Sequence, residues 1–162
     1  MVSNFYTDLK KAREAEEIVR NHFSYLMPDY KFELVGNIPM YFHKGDIRVV
    51  SPSGEEHFVE VKDDSCIWKT GNVLCEEEVF FYGDGELRPG NMYSDYEIYC
   101  VVDRRGQYIF VIDFSILKQH YKEGRYTVIQ HAEQETRCYL VSLGQLRKWG
   151  ALMETISYGG MN

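Results

Sequence analysis

The first 27 residues carry apolar side chains at intervals of three and four, the spacing that forms one stripe along an α-helix. This pattern predicts a helix over residues 5–27, ended by Pro28. One position of the stripe is polar: Glu16 stands in line with Phe5, Leu9, Ala12, Val19 and Phe23. A carboxylate is costly to bury unless it is paired or bound to a cation. Glu16 is therefore either a partly exposed edge residue or part of a site.

Most of the remaining chain shows the twofold alternation of β-strands. Residues 46–51 (DIRVVS) and 57–62 (HFVEVK) flank Pro52-Ser53-Gly54 and predict a β-hairpin. Loops are predicted at 36–45, 63–72 and 83–91. The other predicted elements are a short strand at 30–35, a third strand at 73–82, a second hairpin at 96–103 and 107–113, a helix at 114–121 with Asp113 as N-cap, one or two strands within 126–141, and a helix from Ser142 with Gln145 completing a capping box.

This order of elements predicts an α/β (α+β) fold with a central mixed sheet flanked by helices. The 162 residues fit a single domain over residues 1–162, and 44% hydrophobic residues are enough for a core. No apolar run approaches the roughly 20 residues of a membrane span, and the N-terminus lacks a signal-peptide pattern. We therefore expect a cytoplasmic protein without a membrane partner. The formal charge of −7 argues against tight, non-specific binding to nucleic acid.

The residues that indicate chemistry lie on the first hairpin. Residues two apart on a strand share a face, so Glu60 and Lys62 point one way while Val59 and Val61 face the core. Asp46 opens the partner strand and can lie beside Glu60. Two carboxylates suit a hard ion such as Mg²⁺, which polarises a phosphoryl oxygen, and a nearby ammonium stabilises the developing charge. The set indicates phosphodiester hydrolysis; the alternative is a solvent-facing hairpin whose charges pair with one another.

These segments resemble the PD-(D/E)XK nucleases, the superfamily that includes restriction endonucleases and Holliday-junction resolvases. Asp46 stands at the first Asp of that motif and Glu60-Val61-Lys62 at its ExK, with Gly45 in place of the usual Pro. The similarity continues from about residue 8 to about residue 121. Its other parts are Thr70-Gly71-Asn72-Val73 with Glu76, similar to a TGN-x3-E stretch, Ser94-Asp95-Tyr96, similar to an SxADY segment, and Arg13-Glu14-Ala15-Glu16, similar to a Glu-bearing first helix.

The resemblance implies a restriction-endonuclease-like core and a role for each matched residue. Asp46 and Glu60 would be ligands of Mg²⁺ or Mn²⁺, and the Val61 carbonyl would be a third. Lys62 would be the catalytic lysine, and Glu16 would be an accessory acid that orients water or a second ion.

A third acid is expected near the site from the strand at 73–82. The resemblance favours Glu76, but this residue begins the run Glu76-Glu77-Glu78. Strand alternation places Glu76 and Glu78 on one face and Glu77 on the other. The sequence leaves open which acid points inward, and a solvated charged edge is the alternative.

Substrate contacts are expected in the loop after the ExK strand. A base can stack on Trp68 and a phosphate can pair with Lys69. Thr70 and Asn72 follow in the TGN stretch and are the next candidates. The alternatives are that Trp68 covers the core from a loop, and that Thr70-Gly71-Asn72 only forms a tight turn.

The leading hypothesis is a metal-dependent endonuclease that acts on DNA. An RNA-processing enzyme of the same fold differs only in its substrate. From another class comes a catalytically retired nuclease fold that binds a protein or nucleic acid, for example a phage-encoded inhibitor. The intact Asp46, Glu60 and Lys62 favour the enzyme, and the acidic charge favours the retired fold. An exposed hydrophobic edge at 73–82 would suit a homodimer.

Overall fold

A computed structural model describes residues 5–64, 66–120, 127–130 and 134–160, except for the side chains of residues 5–7 and 127. The described residues form four α-helices and ten β-strands. The helices are α1 (Phe5–Leu26), α2 (Ile67–Thr70), α3 (Phe114–His120) and α4 (Leu143–Trp149). The strands are β1 (Lys31–Leu34), β2 (Ile47–Val50), β3 (Glu56–Asp63), β4 (Asn72–Phe81), β5 (Glu86–Pro89), β6 (Ile98–Asp103), β7 (Tyr108–Asp113), β8 (Thr127–Gln130), β9 (Gln134–Ser142) and β10 (Leu152–Ser157). None of these helices is long and apolar enough to cross a membrane.

The strands form two sheets. The larger is six-stranded and mixed, in the order β1-β2-β3-β6-β7-β10. Its strands β3 and β6 run parallel, and its other neighbouring strands pair antiparallel. The smaller sheet is four-stranded and antiparallel, in the order β5-β4-β9-β8. The predicted mixed sheet is confirmed, whereas β4, expected as its third strand, belongs to the second sheet.

The two faces of the mixed sheet bury two separate cores. On one face, α1 packs through Ala15, Val19 and Phe23 against a cluster that includes Val59 and Val61. The opposite face packs against the second sheet, α3 and α4. Successive residues of a strand point to opposite faces, and β6 alternates accordingly between the two cores. The valines of β3 therefore face α1, which leaves Glu60 and Lys62 on the side of the second sheet.

Local predictions are confirmed where short-range patterns decide the structure. The helix at the start of the chain and both hairpins form as expected. Asp113 caps α3 by accepting a hydrogen bond at Oδ1 from the Ile116 N–H at 3.0 Å. Ser142 caps α4 by accepting at Oγ from the Gln145 N–H at 3.1 Å. Tyr121 and Tyr126, the ends of two predicted elements, lie outside the described residues.

Three short elements contradict or extend the predictions. The predicted loop 63–72 contains α2, a single turn anchored by the buried Ile67. The predicted loop 83–91 contains β5, whose four residues are all exposed. The strand β10 was not predicted at all. A single helical turn, or a strand without a buried face, shows no hydrophobic period. Contacts with other elements therefore decide whether such a segment is helix, strand or loop.

Candidate active site

The site lies at an edge of β3 that its neighbour leaves free. The pairing of β2 with β3 ends at Ile47 and Val59, whereas β3 continues along β6 as far as Asp63. Beyond Val59, the edge of β3 that faced β2 is open to side chains. A cleft of about 590 Å³ forms there, walled by α1, by residues 60–63 of β3 and by the turn after β6.

Asp46 is fixed at the entrance to β2 by four hydrogen bonds, one of which its carbonyl accepts from the Gly36 N–H at 3.2 Å. Its N–H donates to the Val59 carbonyl at 2.9 Å, and its own carbonyl accepts from the Val35 N–H at 2.8 Å. Its carboxylate Oδ2 accepts from the Val61 N–H at 2.9 Å. The N–H and C=O of one strand residue point to the same edge, so the Val61 carbonyl also points to the free edge of β3.

Gly45, the residue before Asp46, has a backbone conformation that excludes proline. Its φ is +137°, which a proline ring, fixed near −65°, cannot adopt. A Cβ at this position would also lie 2.9 Å from the Val59 carbonyl oxygen. A glycine is therefore required to bring Asp46 against β3.

We expect Gly45→Ala to destabilise the protein by about 2 to 4 kcal/mol, because it adds backbone strain and a close contact. It should also weaken divalent-metal binding, since Asp46 is the next residue. The matched control is Gly54→Ala in the hairpin turn, where φ is +88° and a Cβ meets nothing within 4 Å. Urea unfolding and calorimetric titration with Mg²⁺ would measure both effects. Equal losses in the two variants would contradict the close-contact argument.

Glu60 lies at the centre of a cluster of acids. Burial raises its pKa, and the nearby charges of Asp46, Glu76 and Glu16 raise it further, while Lys62 opposes them. Burial also raises the pKa of Asp46, opposed by its hydrogen bond from the backbone of β3 and by Lys62. A single ammonium, on Lys62, therefore does not offset the burial and mutual repulsion of these acids, and the folded protein holds protons on them above the ordinary carboxyl pKa.

Glu16 joins this cluster from α1. It is half-buried and lines the cleft together with Asp46 and Glu60. Its burial and the charge of Asp46 raise its pKa to about 7, with Arg13 acting in the opposite direction. Of the two alternatives for this polar position in the helix stripe, the structure places Glu16 in the cleft.

Lys62 points across the site toward the second sheet. Its Nζ lies 3.6 Å from Oε1 of Glu76 on β4. Glu76 therefore approaches Glu60 and Lys62 from one face of the mixed sheet, while Glu16 approaches from the other. The open edge of β3 is what lets acids from both sides meet.

A β-bulge selects Glu76 from the run of three glutamates. Glu76 pairs with Cys138 on β9 and Glu78 pairs with Arg137, so Glu77 is the extra residue. Directly paired residues of an antiparallel ladder share a face, and neighbouring residues of β9 face opposite ways. Glu76 and Glu78 therefore lie on opposite faces, and the prediction that they share one was wrong. Glu78 instead pairs with Arg137, with Oε2 and Nη1 3.3 Å apart.

The bulge is held by Gly90 and Asn91, two residues that sequence reasoning missed. The Glu76 N–H donates to Asn91 Oδ1 at 2.7 Å, and the Gly90 N–H donates to the Glu77 carbonyl at 2.7 Å. A Cβ on Gly90 would lie 2.3 Å from the Glu76 carbonyl oxygen. In the sequence, Gly-Asn after a proline resembles an ordinary turn, and nothing local reveals its contact with β4.

Arg104 on the cleft wall was also missed. Its guanidinium donates to Asp63 Oδ2 from Nε at 3.1 Å and from Nη2 at 2.7 Å, and to Glu14 Oε2 from Nη1 at 2.5 Å. These bonds tie α1, which carries Glu16, to the end of β3. The partners lie 41 and 90 residues away in the chain, so no local pattern could show the link.

The predicted substrate residues lie beside the cleft, and within the described residues none of them lines it. Trp68 and Lys69 are exposed on α2, and about half of the Trp68 surface is open to solvent. Thr70 Oγ1 accepts from the Asn72 N–H at 3.3 Å and donates to the Cys66 carbonyl at 3.2 Å. Thr70 and Asn72 thus close the turn between α2 and β4.

The donor set suits an ion that keeps part of its water shell. Among the described residues, no three His, Cys, Asp or Glu side chains form a group that could hold a metal ion by themselves. Two half-buried carboxylates, on Asp46 and Glu60, and the Val61 carbonyl remain as oxygen donors. Mg²⁺ usually binds through one or two carboxylates and retains several waters, so this set fits Mg²⁺ or Mn²⁺ and lacks the thiolate or imidazole ligands of a structural zinc site.

Comparison with known proteins gives no assignment. No family model matches the sequence, and neither a curated protein nor a solved structure matches the chain. The resemblance to PD-(D/E)XK nucleases therefore stays a prediction. The function has to be argued from the site, because a fold by itself does not imply a function.

Proposed function

We propose that the protein is a divalent-metal-dependent nuclease with a restriction-endonuclease-like core, and that DNA is its substrate. The observation that carries the proposal is the convergence of Asp46, Glu60, Glu16 and Lys62 at the free edge of β3. Burying several like charges in one cleft is costly. Binding of a cation, and through it of a phosphodiester, would offset the energetic cost of these half-buried carboxylates.

The ion would be held by Asp46, Glu60 and the Val61 carbonyl. Bound there, Mg²⁺ or Mn²⁺ would supply Lewis-acid stabilisation of the charge on the phosphate. Lys62 places an ammonium beside the same position, where it can orient the attacking water and stabilise the transition state. Glu76, 3.6 Å from its Nζ, holds that ammonium in place.

Glu16 is suited to moving a proton. A group transfers protons best when its pKa lies near the working pH, and burial and Asp46 raise the pKa of Glu16 to about 7. The link from Arg104 to Glu14 and Asp63 holds this part of α1 against β3. Glu16 would accept a proton from the attacking water, and Arg104 would act as a positioning residue.

A catalytically retired nuclease fold is the second candidate. The net charge of −7 favours it, because phosphate binding draws on lysine and arginine. Such a protein would bind a partner through its surface, and that role does not require Lys62 to lie between Glu60 and Glu76. The two candidates differ in one measurable property, metal-dependent cleavage.

The test is cleavage of labelled single-stranded, duplex and branched DNA, and of RNA, with Mg²⁺ or Mn²⁺. We expect cleavage by the wild type, and about a hundredfold to a thousandfold loss in Lys62→Ala because transition-state charge loses its ammonium. Lys148→Ala, an exposed lysine on α4, is the matched control and should cleave normally. No cleavage of any substrate, together with no metal binding in calorimetry, would contradict the nuclease and favour the retired fold.

A further inference from the structure

Trp68 is an exposed aromatic residue on a firmly attached element. Its helix α2 is anchored by the buried Ile67 and ends at Gly71, whose φ is +64°. The Gly71 carbonyl accepts a hydrogen bond from the Leu143 N–H at 2.9 Å, which ties α2 to α4. Trp68 nevertheless remains 51% exposed, and the neighbouring Lys69 is exposed as well.

Arg105 reaches Trp68 from a different element. Its guanidinium lies 5.2 Å from the centroid of the indole ring, a cation–π contact. The turn that carries Arg105 is itself fixed, because the buried Asp103 accepts at Oδ1 from the N–H groups of Arg105 and Gly106, both at 3.0 Å. The contact covers only part of the indole, so an aromatic surface beside a positive charge stays open to solvent.

The pair lies at the end of the cleft. β3 and β6 run parallel and end together, with Asp63 paired to Val102 and the Asp64 N–H donating to the Val102 carbonyl at 3.1 Å. α2 follows β3, and the turn with Arg104 and Arg105 follows β6. Arg104 lines the cleft. The carboxyl ends of neighbouring parallel strands are where open α/β sheets bind ligands.

We infer that Trp68 and Arg105 form a stacking platform for an unpaired nucleobase, so that the substrate is nucleic acid with a single-stranded segment at the cleft. This inference rests on the proposed nuclease function. Every base has a π-face that can stack on an indole, and Arg105 and Lys69 offer positive charge to the adjacent phosphates. In a duplex the base faces are covered by their neighbours, so only an unpaired base can use Trp68.

The test measures binding apart from cleavage. The protein is titrated into a labelled single strand of about 12 nucleotides, a length of the order that single-strand-binding sites cover, and into a duplex of equal length. Both titrations are done in Ca²⁺, and fluorescence anisotropy is the readout. DNA and RNA strands are compared. We expect Trp68→Ala to weaken single-strand binding about tenfold, Arg105→Ala about threefold, and neither to change duplex binding. Trp68→Phe should retain most of the affinity.

Two controls separate this inference from the proposed function. Tyr25→Ala removes an aromatic residue that is 72% exposed near the end of α1, and it should bind as the wild type does. Lys62→Ala should lose cleavage, yet it should keep the preference for single strand over duplex that Trp68→Ala loses. The chain has two tryptophans, and Trp149 stacks on His120 with 5.0 Å between ring centroids. Quenching of tryptophan fluorescence by the oligonucleotide should therefore persist in Trp149→Phe and disappear in Trp68→Phe.

Single-strand binding by Trp68→Ala at wild-type affinity would overturn the platform, even if Mg²⁺-dependent cleavage is intact. An equal loss of affinity for single strand and duplex in the variants would also overturn it, since Trp68 and Arg105 would then contribute only a positive and apolar surface without preference for unpaired bases. If the wild type cleaves no substrate but Trp68→Ala still binds single strands about tenfold more weakly than the wild type, the nuclease proposal fails and the single-strand platform stands.

Discussion

Glu60→Gln should abolish metal-dependent cleavage and at the same time stabilise the metal-free protein. We expect cleavage to fall by at least about a thousandfold, because the amide is neutral and a poor ligand for a hard cation. The free energy of unfolding at about pH 8 should rise by about 1 to 3 kcal/mol, because a buried charge among like charges is removed. A gain in stability with a loss of activity is expected of groups that serve function at the expense of the fold.

The pH dependence of that gain follows from the direction of the pKa shift. Burial and neighbouring acids raise the pKa of Glu60 in the folded protein above its ordinary 4.5. Below that value the carboxyl is protonated in both states, and wild type and variant should unfold alike. As the pH rises, the folded wild type loses stability and the variant does not. The difference should therefore grow from about pH 5 to about pH 8.

Urea unfolding in EDTA across this pH range would measure the effect. The matched control is Glu55→Gln, an exposed glutamate in the turn of the same hairpin, which should change neither stability nor cleavage. If Glu60→Gln were less stable than the wild type at every pH, Glu60 would belong to a favourable structural network. The acids around Glu60 would then not form a site prepared for a cation.

Mg²⁺ should stabilise the folded protein strongly at alkaline pH and weakly at acidic pH. The raised pKa of Glu16, about 7, and the raised pKa of Asp46 and Glu60 mean that the folded protein binds more protons than the unfolded chain. The contribution of these three acids to stability without metal should thus be fully present below the ordinary carboxyl pKa and be lost as the pH rises through the folded-state values. A divalent cation neutralises the same acids but must compete with protons for them.

The expected size of the stabilisation by Mg²⁺ follows from the linkage between ligand binding and folding. A ligand at a hundred times its Kd adds about 2.7 kcal/mol to the free energy of unfolding, which corresponds to a rise in Tm of about 5 to 10 °C for a chain of this length. Thermal unfolding at about pH 8 and about pH 5.5, with and without Mg²⁺, would show it. NaCl at equal ionic strength is the control for screening. A similar Mg²⁺ effect in Glu60→Gln would contradict binding at this cluster.

The sequence alone determined those parts of the site that depend on short-range periodicity. Glu16 is visible as a carboxylate in an apolar helix stripe, because α1 repeats every three to four residues. Glu60 and Lys62 share a face because strand residues alternate, and the turn at Pro52-Ser53-Gly54 brings the strand led by Asp46 back beside them. Each of these inferences depends only on residues within one helix or one hairpin. The structure brings all four side chains, of Glu16, Asp46, Glu60 and Lys62, into one cleft.

Tertiary structure decided everything that depends on distant partners. The bulge at Glu77 reverses the alternation of β4 after Glu76, so that Glu78 no longer shares the face of Glu76, and the bulge is held by contacts of Gly90 and Asn91. The separate second sheet was likewise invisible in the strand pattern, because the alternation that marks a strand does not identify its partner. Arg104 gained its role from residues 41 and 90 positions away. Local periodicity sets which way a side chain points within its own element, and only packing between elements sets which side chains it meets.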